Sequence, residues 1–289
     1  KAHCRVVQGT VREVKAEHTP TYTTAKERQG IQAINVKSCP ICRKKCGTLF
    51  VVYCTFFIFV RKVIYLKKIT ADFAVSTTLV IMNQKKEILE KLAFIRRHKE
   101  FASFGVKEQE VSYNPCLSEE DIKEFEHKHC ITLPDDYRTF ISEIGNGGFG
   151  PGYGLLPLDK AIVDFKLKDK PNISLNEKFP YQDSWNEEWI TSFNWDEGYP
   201  ETEIVDAYIS TSHIAGSLQI SHFGHGCTFL LVVNGNEKGH IWFDGRADYS
   251  GLVPKLKDGQ RISFIEWYIT FLDMEIENIN ESLTNSTTA

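Results

Sequence analysis

Apolar residues recur at helical spacing in four stretches of the chain after residue 82. These spacings place the apolar side chains on one face of each helix, with charged and polar residues between them. We therefore expect four amphipathic helices, of which the last is long. Their apolar positions are 88, 89, 92 and 95; 122 and 125; 137, 140, 141 and 144; and 265, 269, 272, 276 and 279.

The ends of these helices carry recognisable capping residues. Ser118 and Ser263 each precede a helix, and an acidic residue follows each serine three places later. This is the pattern of a capping box, and the carboxylate favours the positive end of the helix dipole. Pro134 is expected to open the third helix. Gly145 is expected to end it in a left-handed conformation.

The rest of this region predicts strands and connections. The segments 204–209 and 228–233 are short, apolar and rich in β-forming residues, and 155–158 has the same character. A turn after 228–233 leads into 240–244, which predicts an antiparallel hairpin. The segment 159–167 is expected to form a short helix. Together the elements predict an α+β fold, with a mainly antiparallel sheet and helices packed around it.

Six glycines lie within the ten residues of the glycine loop, Gly145–Gly154. Such loops can cradle phosphate, but phosphate loops run from a strand to a helix, and the P-loop form ends in Gly-Lys-Ser/Thr. Here the predicted order is helix, loop, strand, and no lysine lies nearby. A structural connection is therefore favoured over a nucleotide site.

The net charge of −4 conceals two unlike regions. Residues 1–81 carry 14 Lys and Arg against 4 Asp and Glu, a net charge of +10, whereas residues 82–289 carry 20 against 34, a net charge of −14. The overall composition excludes a collagen-like, low-complexity or strongly basic chain. The charge division predicts a boundary near residue 82.

The basic segment 1–81 is interpreted as an N-terminal extension outside the working domain, because Met82 resembles a natural chain start. Alternatives remain open for two of its features. The four cysteines at 39, 42, 46 and 54 would supply zinc ligands or stand as free thiols. The apolar run 48–60 is shorter than the roughly 20 residues of a membrane-spanning helix. It would instead form a membrane-associated segment, a buried strand pair or an unstructured peptide.

An acidic stretch without Lys or Arg extends over the 59 residues from Phe179 to Glu237. Clustered carboxylates repel one another unless a basic partner offsets their charge, and aromatic residues among them are typical of interface anchors. We predict a partner-binding surface here; the alternative is a solvated loop whose tryptophans pack into the core. The predicted contacts are Asp183, Trp185, Glu187, Glu188, Trp189, Asp196, Glu197 and Glu201.

Catalytic chemistry finds little support in the sequence. No Gly-x-Ser-x-Gly elbow or His-Glu-x-x-His motif follows residue 82. His222, His225 and Cys227 are possible metal ligands, with His213 nearby in sequence, but a fourth ligand is unassigned and the glycines between them suit a turn. We therefore predict no metal, no cofactor and no catalytic residue. The few scattered cysteines favour a reduced, cytoplasmic protein.

Several motifs, taken in order, resemble the SUKH superfamily, specifically its Smi–Knr type of domain. The resemblance covers about residues 115–275 and not 1–81; the acidic insert between 165 and 204 matches no motif of the family. The motifs are Leu133–Ile141, Gly145–Leu158, Gly224–Phe229, Gly239–Trp242 and Phe264–Trp267.

The resemblance implies an α+β domain that binds proteins and is not an enzyme. Bacterial members resemble immunity proteins that block a cognate toxin, often a nuclease, while eukaryotic relatives are regulatory scaffolds. The domain is predicted to span 82–280, followed by a polar tail, 281–289. Only the family-motif positions of the glycine loop carry over: Gly145, Asn146, Gly147, Gly148, Gly150, Pro151, Tyr153 and Gly154.

These observations lead to three functional hypotheses. The first is an immunity protein that neutralises a basic toxin domain, specifically a nuclease, through the acidic surface. The second is a regulatory scaffold that binds a cellular protein. The third is a metal-dependent hydrolase that uses the histidines and the cysteine at 222–227. For residues 82–289 we expect a protein partner, with no membrane and no direct contact with nucleic acid.

Overall fold

The structure, a computed structural model, describes residues 83–287 other than 165, 168 and 170, and leaves out the side chains of 104, 197 and 287. The predictions for segment 1–81, including its cysteines and its apolar run, lie outside the described residues. The helices are α1 (83–97), α2 (Phe104–Lys107), α3 (Glu119–His129), α4 (Asp135–Glu143), α5 (Glu188–Ser192), α6 (Thr202–Tyr208) and α7 (Phe264–Thr287).

The strands form one larger and one smaller antiparallel sheet. The larger sheet has the strand order β1-β2-β3-β4, and each neighbouring pair is antiparallel. The fold is therefore α+β, as predicted from the sequence. The strands are β1 (Ser217–Gly224), β2 (Cys227–Val232), β3 (Ile241–Asp244), β4 (Leu252–Pro254), β5 (Leu256–Lys257) and β6 (Gln260–Arg261).

The two faces of the larger sheet pack against different parts of the chain. Neighbouring residues of a strand point to opposite faces, so Phe229 and the Leu230–Trp242 pair lie on opposite sides. Phe229 packs on Trp267 of α7, with ring centroids 5.1 Å apart. On the other face, Trp242 meets Phe179 at 4.9 Å. The acidic insert therefore approaches the sheet from the side opposite to α7.

Both predicted capping boxes are present. The Asp121 amide donates to Ser118 Oγ at 3.1 Å, and the Ser118 amide donates back to the Asp121 carboxylate. At the start of α7, the Ser263 amide donates to the Glu266 carboxylate at 3.0 Å, and the Glu266 amide donates to Ser263 Oγ. The predicted hairpin is also confirmed, since β2 pairs with β3.

Several local predictions were wrong. The segment 204–209 lies mostly in α6 rather than in a strand, because Val205, Tyr208 and Ile209 follow helical spacing toward the interior. The segment 155–158 is not a strand, although Leu155 makes isolated bridges. Residues 159–162 form turns rather than the predicted helix, and Val163 makes an isolated bridge with Asn172. Residues 217–224, for which no strand was predicted, form β1.

Gly145 and the C-terminus also differ from expectation. Gly145 is not among the left-handed glycines; a Cβ there would lie 2.3 Å from Tyr113 Cβ, so it is needed for close packing. The predicted polar tail continues α7 as far as Thr287, because Ile279 is buried and Leu283 packs against the core. Within the described residues, no helix combines the length and apolar character needed to cross a membrane.

Candidate protein-interaction site

The acidic insert is attached to the free edge of the larger sheet. Trp185 and Leu252 of β4 exchange two backbone hydrogen bonds, each of 2.8 Å. The Asn186 side chain donates to the Tyr249 carbonyl at 2.9 Å and accepts from the Tyr208 hydroxyl at 2.6 Å. One short segment of the insert thereby contacts β4, the turn after β3 and helix α6.

His213 lies in a stack of aromatic rings beside this attachment. Its ring centroid is 4.3 Å from that of Trp185 and 6.2 Å from that of Tyr181, and the rings are nearly parallel. The Tyr181 hydroxyl lies 2.5 Å from His213 Nδ1, and His213 Nε2 lies 3.1 Å from the Ala207 carbonyl. Burial, with a smaller contribution from Arg246, lowers the pKa of His213. A neutral imidazole fits these contacts, because it accepts from Tyr181 and donates to Ala207.

A second aromatic group connects α5 to α6. Trp189 meets the rings of Tyr208 and Tyr249 edge-on, at 5.9 and 6.1 Å, and those two tyrosines stack on each other. Trp185 also stacks on Tyr208, with centroids 5.5 Å apart. Trp185 and Trp189, predicted as partner anchors, are thus partly buried and hold the insert together.

Other apolar side chains of the insert face solvent. Trp195 is 41% exposed, Ile204 is 42% exposed and Tyr199 is 87% exposed. None of these three residues belongs to the predicted set of partner contacts. The sequence does place each of them within two positions of an acidic residue. Their exposure to solvent could not be assigned without the fold.

The carboxylates predicted to contact a partner lie on the same insert. Asp183, Glu188, Asp196 and Glu201 are exposed and Glu187 is half-buried, while the side chain of Glu197 lies outside the described part. Asp183 lies 3.8 Å from Arg261. Among the described residues, the side chains of Glu187, Glu188, Asp196 and Glu201 form no ion pair. The exposed Glu203 and Asp206 of α6 extend the acidic surface beyond the predicted set.

A buried ionic cluster lies on the sheet face that the insert approaches. Lys166 Nζ lies 2.5 Å from Asp244 Oδ2, and Arg246 donates two hydrogen bonds to the same carboxylate. Arg246 also donates to the Ser210 carbonyl at 2.7 Å, which joins the cluster to the segment after α6. Burial acts to raise the pKa of Asp244, but Lys166 and Arg246 outweigh it and lower that pKa. Asp164, also fully buried, lies 3.6 Å from Lys166.

Backbone groups of the glycine loop form hydrogen bonds with neighbouring parts of the chain. The Gln109 side-chain amide donates to the carbonyls of Gly150 and Gly152, and its oxygen accepts from the Gly150 amide. Ser221 Oγ donates to the Pro151 carbonyl at 2.6 Å. Gly152 has φ +63°, and a Cβ there would lie 2.3 Å from the His222 carbonyl oxygen. These contacts hold the glycine loop against Gln109, which follows α2, and against β1.

The remaining family-motif positions fix the conformation of the same loop. Gly148 and Leu155 exchange two backbone hydrogen bonds of 2.9 and 2.7 Å, and the Asn146 side-chain oxygen accepts from the Leu158 amide. Gly147, Gly148 and Gly154 have positive φ. Tyr153 differs from its neighbours, since its side chain is 70% exposed.

His222, His225 and Cys227 surround the β1–β2 turn. His225 is exposed with φ +49°, whereas Cys227 is buried and paired with Gly224 in the hairpin. Burial, together with Asp248, raises the pKa of the Cys227 thiol to about 11, which disfavours a thiolate. Within the part of the chain that the structure describes, no three His, Cys, Asp or Glu side chains are grouped as a metal site would require.

The sequence was compared with models of known protein families, with curated proteins and with solved structures. Residues 116–258 match the model of the SMI1 / KNR4 family (SUKH-1), a range that runs from three residues before α3 to the β5–β6 turn. No curated protein and no solved structure matches the chain. Domains of this family are generally non-enzymatic binding domains, and the match is consistent with an immunity-protein-like binding module. The chain thus carries a domain of the SMI1 / KNR4 family (SUKH-1).

Proposed function

We propose that this protein is an immunity protein that binds and neutralises a basic toxin domain, specifically a nuclease, through the acidic surface. That surface consists of Asp183, Glu187, Glu188, Asp196, Glu197 and Glu201, together with Glu203 and Asp206. One observation carries the proposal: within the described residues, the exposed carboxylates of this surface other than Asp183 form no ion pair, and the exposed rings of Trp195 and Tyr199 lie on the same segment.

Charge complementarity supplies the physical reason. A nuclease needs a basic groove for the phosphates of its substrate. Carboxylates held close together on a docked insert present negative charge to such a groove, and they increase the rate of association in a salt-dependent way. A bound cation-rich partner would also relieve the mutual repulsion of the carboxylates.

The exposed rings would supply the apolar part of the interface. Trp195 and Tyr199 have free area that a partner can cover, whereas Trp185 and Trp189 already pack inside the insert. Buried aromatic anchors surrounded by polar contacts dominate many interfaces. We therefore assign direct contact to Trp195 and Tyr199, and assign Trp185 and Trp189 the role of holding the carboxylates in position.

A regulatory scaffold that binds a cellular protein is the alternative, since family membership is equally consistent with it. Two observations distinguish these two functions: the genes next to the gene for this chain, and the protein that the full chain captures. A toxin gene next to the gene for this chain, and capture of its product by the full chain, support neutralisation. Capture of a protein without toxic activity supports the scaffold.

The decisive test of neutralisation is a rescue experiment. Cells that express the captured toxin domain should survive when the wild-type chain is co-expressed, and Trp195→Ala/Tyr199→Ala should reduce survival. The double variant Tyr153→Ala/Leu89→Ala is the control, because it removes two exposed apolar side chains outside the insert. Equal survival with both double variants would contradict the assignment of Trp195 and Tyr199.

A further inference from the structure

A cavity of about 610 Å³, the loop pocket, opens on residues outside the acidic insert. It lies between α2, the glycine loop, the β1–β2 turn, the β5–β6 hairpin and α7. Most of its wall is apolar, and much of that is aromatic. The side chains that form this apolar wall include Tyr153, Phe223, Phe229, Leu256, Trp267 and Phe271.

The walls of the loop pocket are fixed by hydrogen bonds. The buried Glu275 carboxylate of α7 accepts from the Ser103 amide at 3.1 Å and from Ser103 Oγ at 2.9 Å, which holds α2 against α7. The Tyr153 amide donates to the His222 carbonyl at 2.9 Å, which holds the glycine loop against β1. Hydrogen bonds within the chain therefore hold two sides of the pocket in place.

Exposed apolar side chains concentrate around the opening. Tyr153 is 70% exposed, Phe223 56%, Leu256 49% and Met274 57%, and all four line the pocket. They come from four separate elements, so their meeting at one opening is a property of the fold and not of the local sequence. Contiguous exposed apolar area of this kind marks a binding site.

Charges at the opening are arranged asymmetrically. Lys255 and Lys257 line the hairpin side of the pocket and are exposed, and neither forms an ion pair with a described residue. The carboxylates of Glu108 and Glu275 line the opposite side, and both Glu275 oxygens are already bonded to Ser103. An anionic group would therefore be attracted to the hairpin side.

We propose that the loop pocket binds a small amphipathic anion, whose apolar body lies among the aromatic rings and whose carboxylate or sulfonate contacts Lys255 and Lys257. The volume supports a small molecule, since pockets for such ligands measure about 300–1,000 Å³ and are mostly apolar with a few polar groups. The glycine loop gains a second role in this proposal, because Pro151, Gly152 and Tyr153 form one side of the site.

Two fluorescent probes test the proposal on the full chain. 8-Anilinonaphthalene-1-sulfonate carries an apolar ring system and a sulfonate; N-phenyl-1-naphthylamine carries the same rings without the charge. We expect both to bind saturably to the folded protein. Lys255→Gln/Lys257→Gln should weaken binding of the sulfonate by about threefold to tenfold at low salt and leave the neutral probe unchanged, because exposed charge pairs contribute modestly.

Two further variants make the result specific to this pocket. Lys128→Gln/Lys238→Gln removes two exposed lysines that do not line the pocket, and should leave both affinities unchanged. Phe223→Ser should weaken both probes, with thermal unfolding measured to confirm that the variant is folded. Absence of saturable binding to the wild-type chain would overturn the proposal. Equal weakening of sulfonate binding in the two lysine double variants would overturn the proposal as well.

Discussion

Arg246 donates two hydrogen bonds of 2.9 Å to the carboxylate of Asp244, two residues earlier in the chain, and both side chains are fully buried. Lys166 contacts the same carboxylate, and Arg246 also reaches the carbonyl of Ser210. The pair thus joins the end of β3 to the segment after α6.

Removal of the Asp244 charge should strongly destabilise the fold. Asp244→Asn leaves the buried Arg246 and Lys166 without their carboxylate, and the loss of one partner of a buried ion pair costs about 3–5 kcal/mol. Urea unfolding measures this loss. Asp183→Asn is the control, because the side chain of Asp183 is 98% exposed and its variant should lie within about 0.5 kcal/mol of the wild type. Similar unfolding midpoints for the two variants would contradict a structural role for the cluster.

The stability of the domain should depend on the protonation of His213. Its pKa in the folded state is lowered below 6.5, chiefly by burial, so the unfolded state binds the proton more tightly. This contribution to stability is complete above pH 6.5 and declines as the pH falls toward the folded-state pKa. The decrease in unfolding free energy between pH 7.5 and pH 5.5 should be smaller in His213→Gln. An unchanged slope would show that His213 carries none of this dependence.

His129 shares the direction of this shift, since burial lowers its pKa too. His129→Gln therefore serves as the comparison for the same measurement. Each variant should reduce the slope of unfolding free energy against pH. The two reductions should add in the double variant, because no contact joins the two residues in the structure.

The Tyr268 hydroxyl should matter more to stability than that of Tyr113. Tyr268 donates to the Phe149 carbonyl at 2.9 Å, and the two hydroxyls lie 2.6 Å apart, so Tyr113 donates to Tyr268. Tyr268→Phe leaves both the Phe149 carbonyl and the Tyr113 hydroxyl without this partner, at a cost of about 1–3 kcal/mol. Tyr113→Phe removes only one donor and should cost less. The reverse order in thermal unfolding would contradict this hydrogen-bond direction.

Gly152→Ala should destabilise the domain through crowding as well as backbone strain. A Cβ would lie 2.3 Å from the His222 carbonyl oxygen, and φ is +63°. Gly259→Ala is the matched control, since its φ is +77° but nothing lies within 4 Å of the added carbon. We expect Gly259→Ala to lower the free energy of unfolding by about 1–2 kcal/mol, and Gly152→Ala to lower it by at least about 1 kcal/mol more. Equal losses would mean that the loop can move away from β1.

The sequence predicted the elements whose signals are local. Both capping boxes, the β2–β3 hairpin and the amphipathic start of α7 follow from residues close together in the chain. The α6 prediction was wrong because β-branched Ile204 and Val205 favour a strand locally, whereas packing of Tyr208 against Trp185 and Tyr249 favours a helix. Likewise, the polar residues after Asn280 remain helical because Leu283 packs against the core.

The candidate site was predictable in its charge but not in its geometry. Composition identified the acidic stretch from Phe179 to Glu237, because the absence of Lys and Arg over 59 residues needs no structure to be seen. Which tryptophans face solvent depends on long-range contacts, such as those between Trp189 and Tyr249. The loop pocket was not predictable, since its lining residues come from five separate regions of the chain.

The most direct test of the proposed acidic interface is the rate of association with the toxin domain that the full chain captures. Stopped-flow or surface-based kinetics would compare the wild type with Glu187→Lys/Glu188→Lys, over a range of salt concentrations. Glu120→Lys/Glu124→Lys on α3 is the control, because it makes the same charge change at exposed carboxylates outside the insert. We predict that the insert variant associates at least about tenfold more slowly at low salt, with a weaker salt dependence, and that the control changes far less. Unchanged association and salt dependence in the insert variant would contradict the acidic interface.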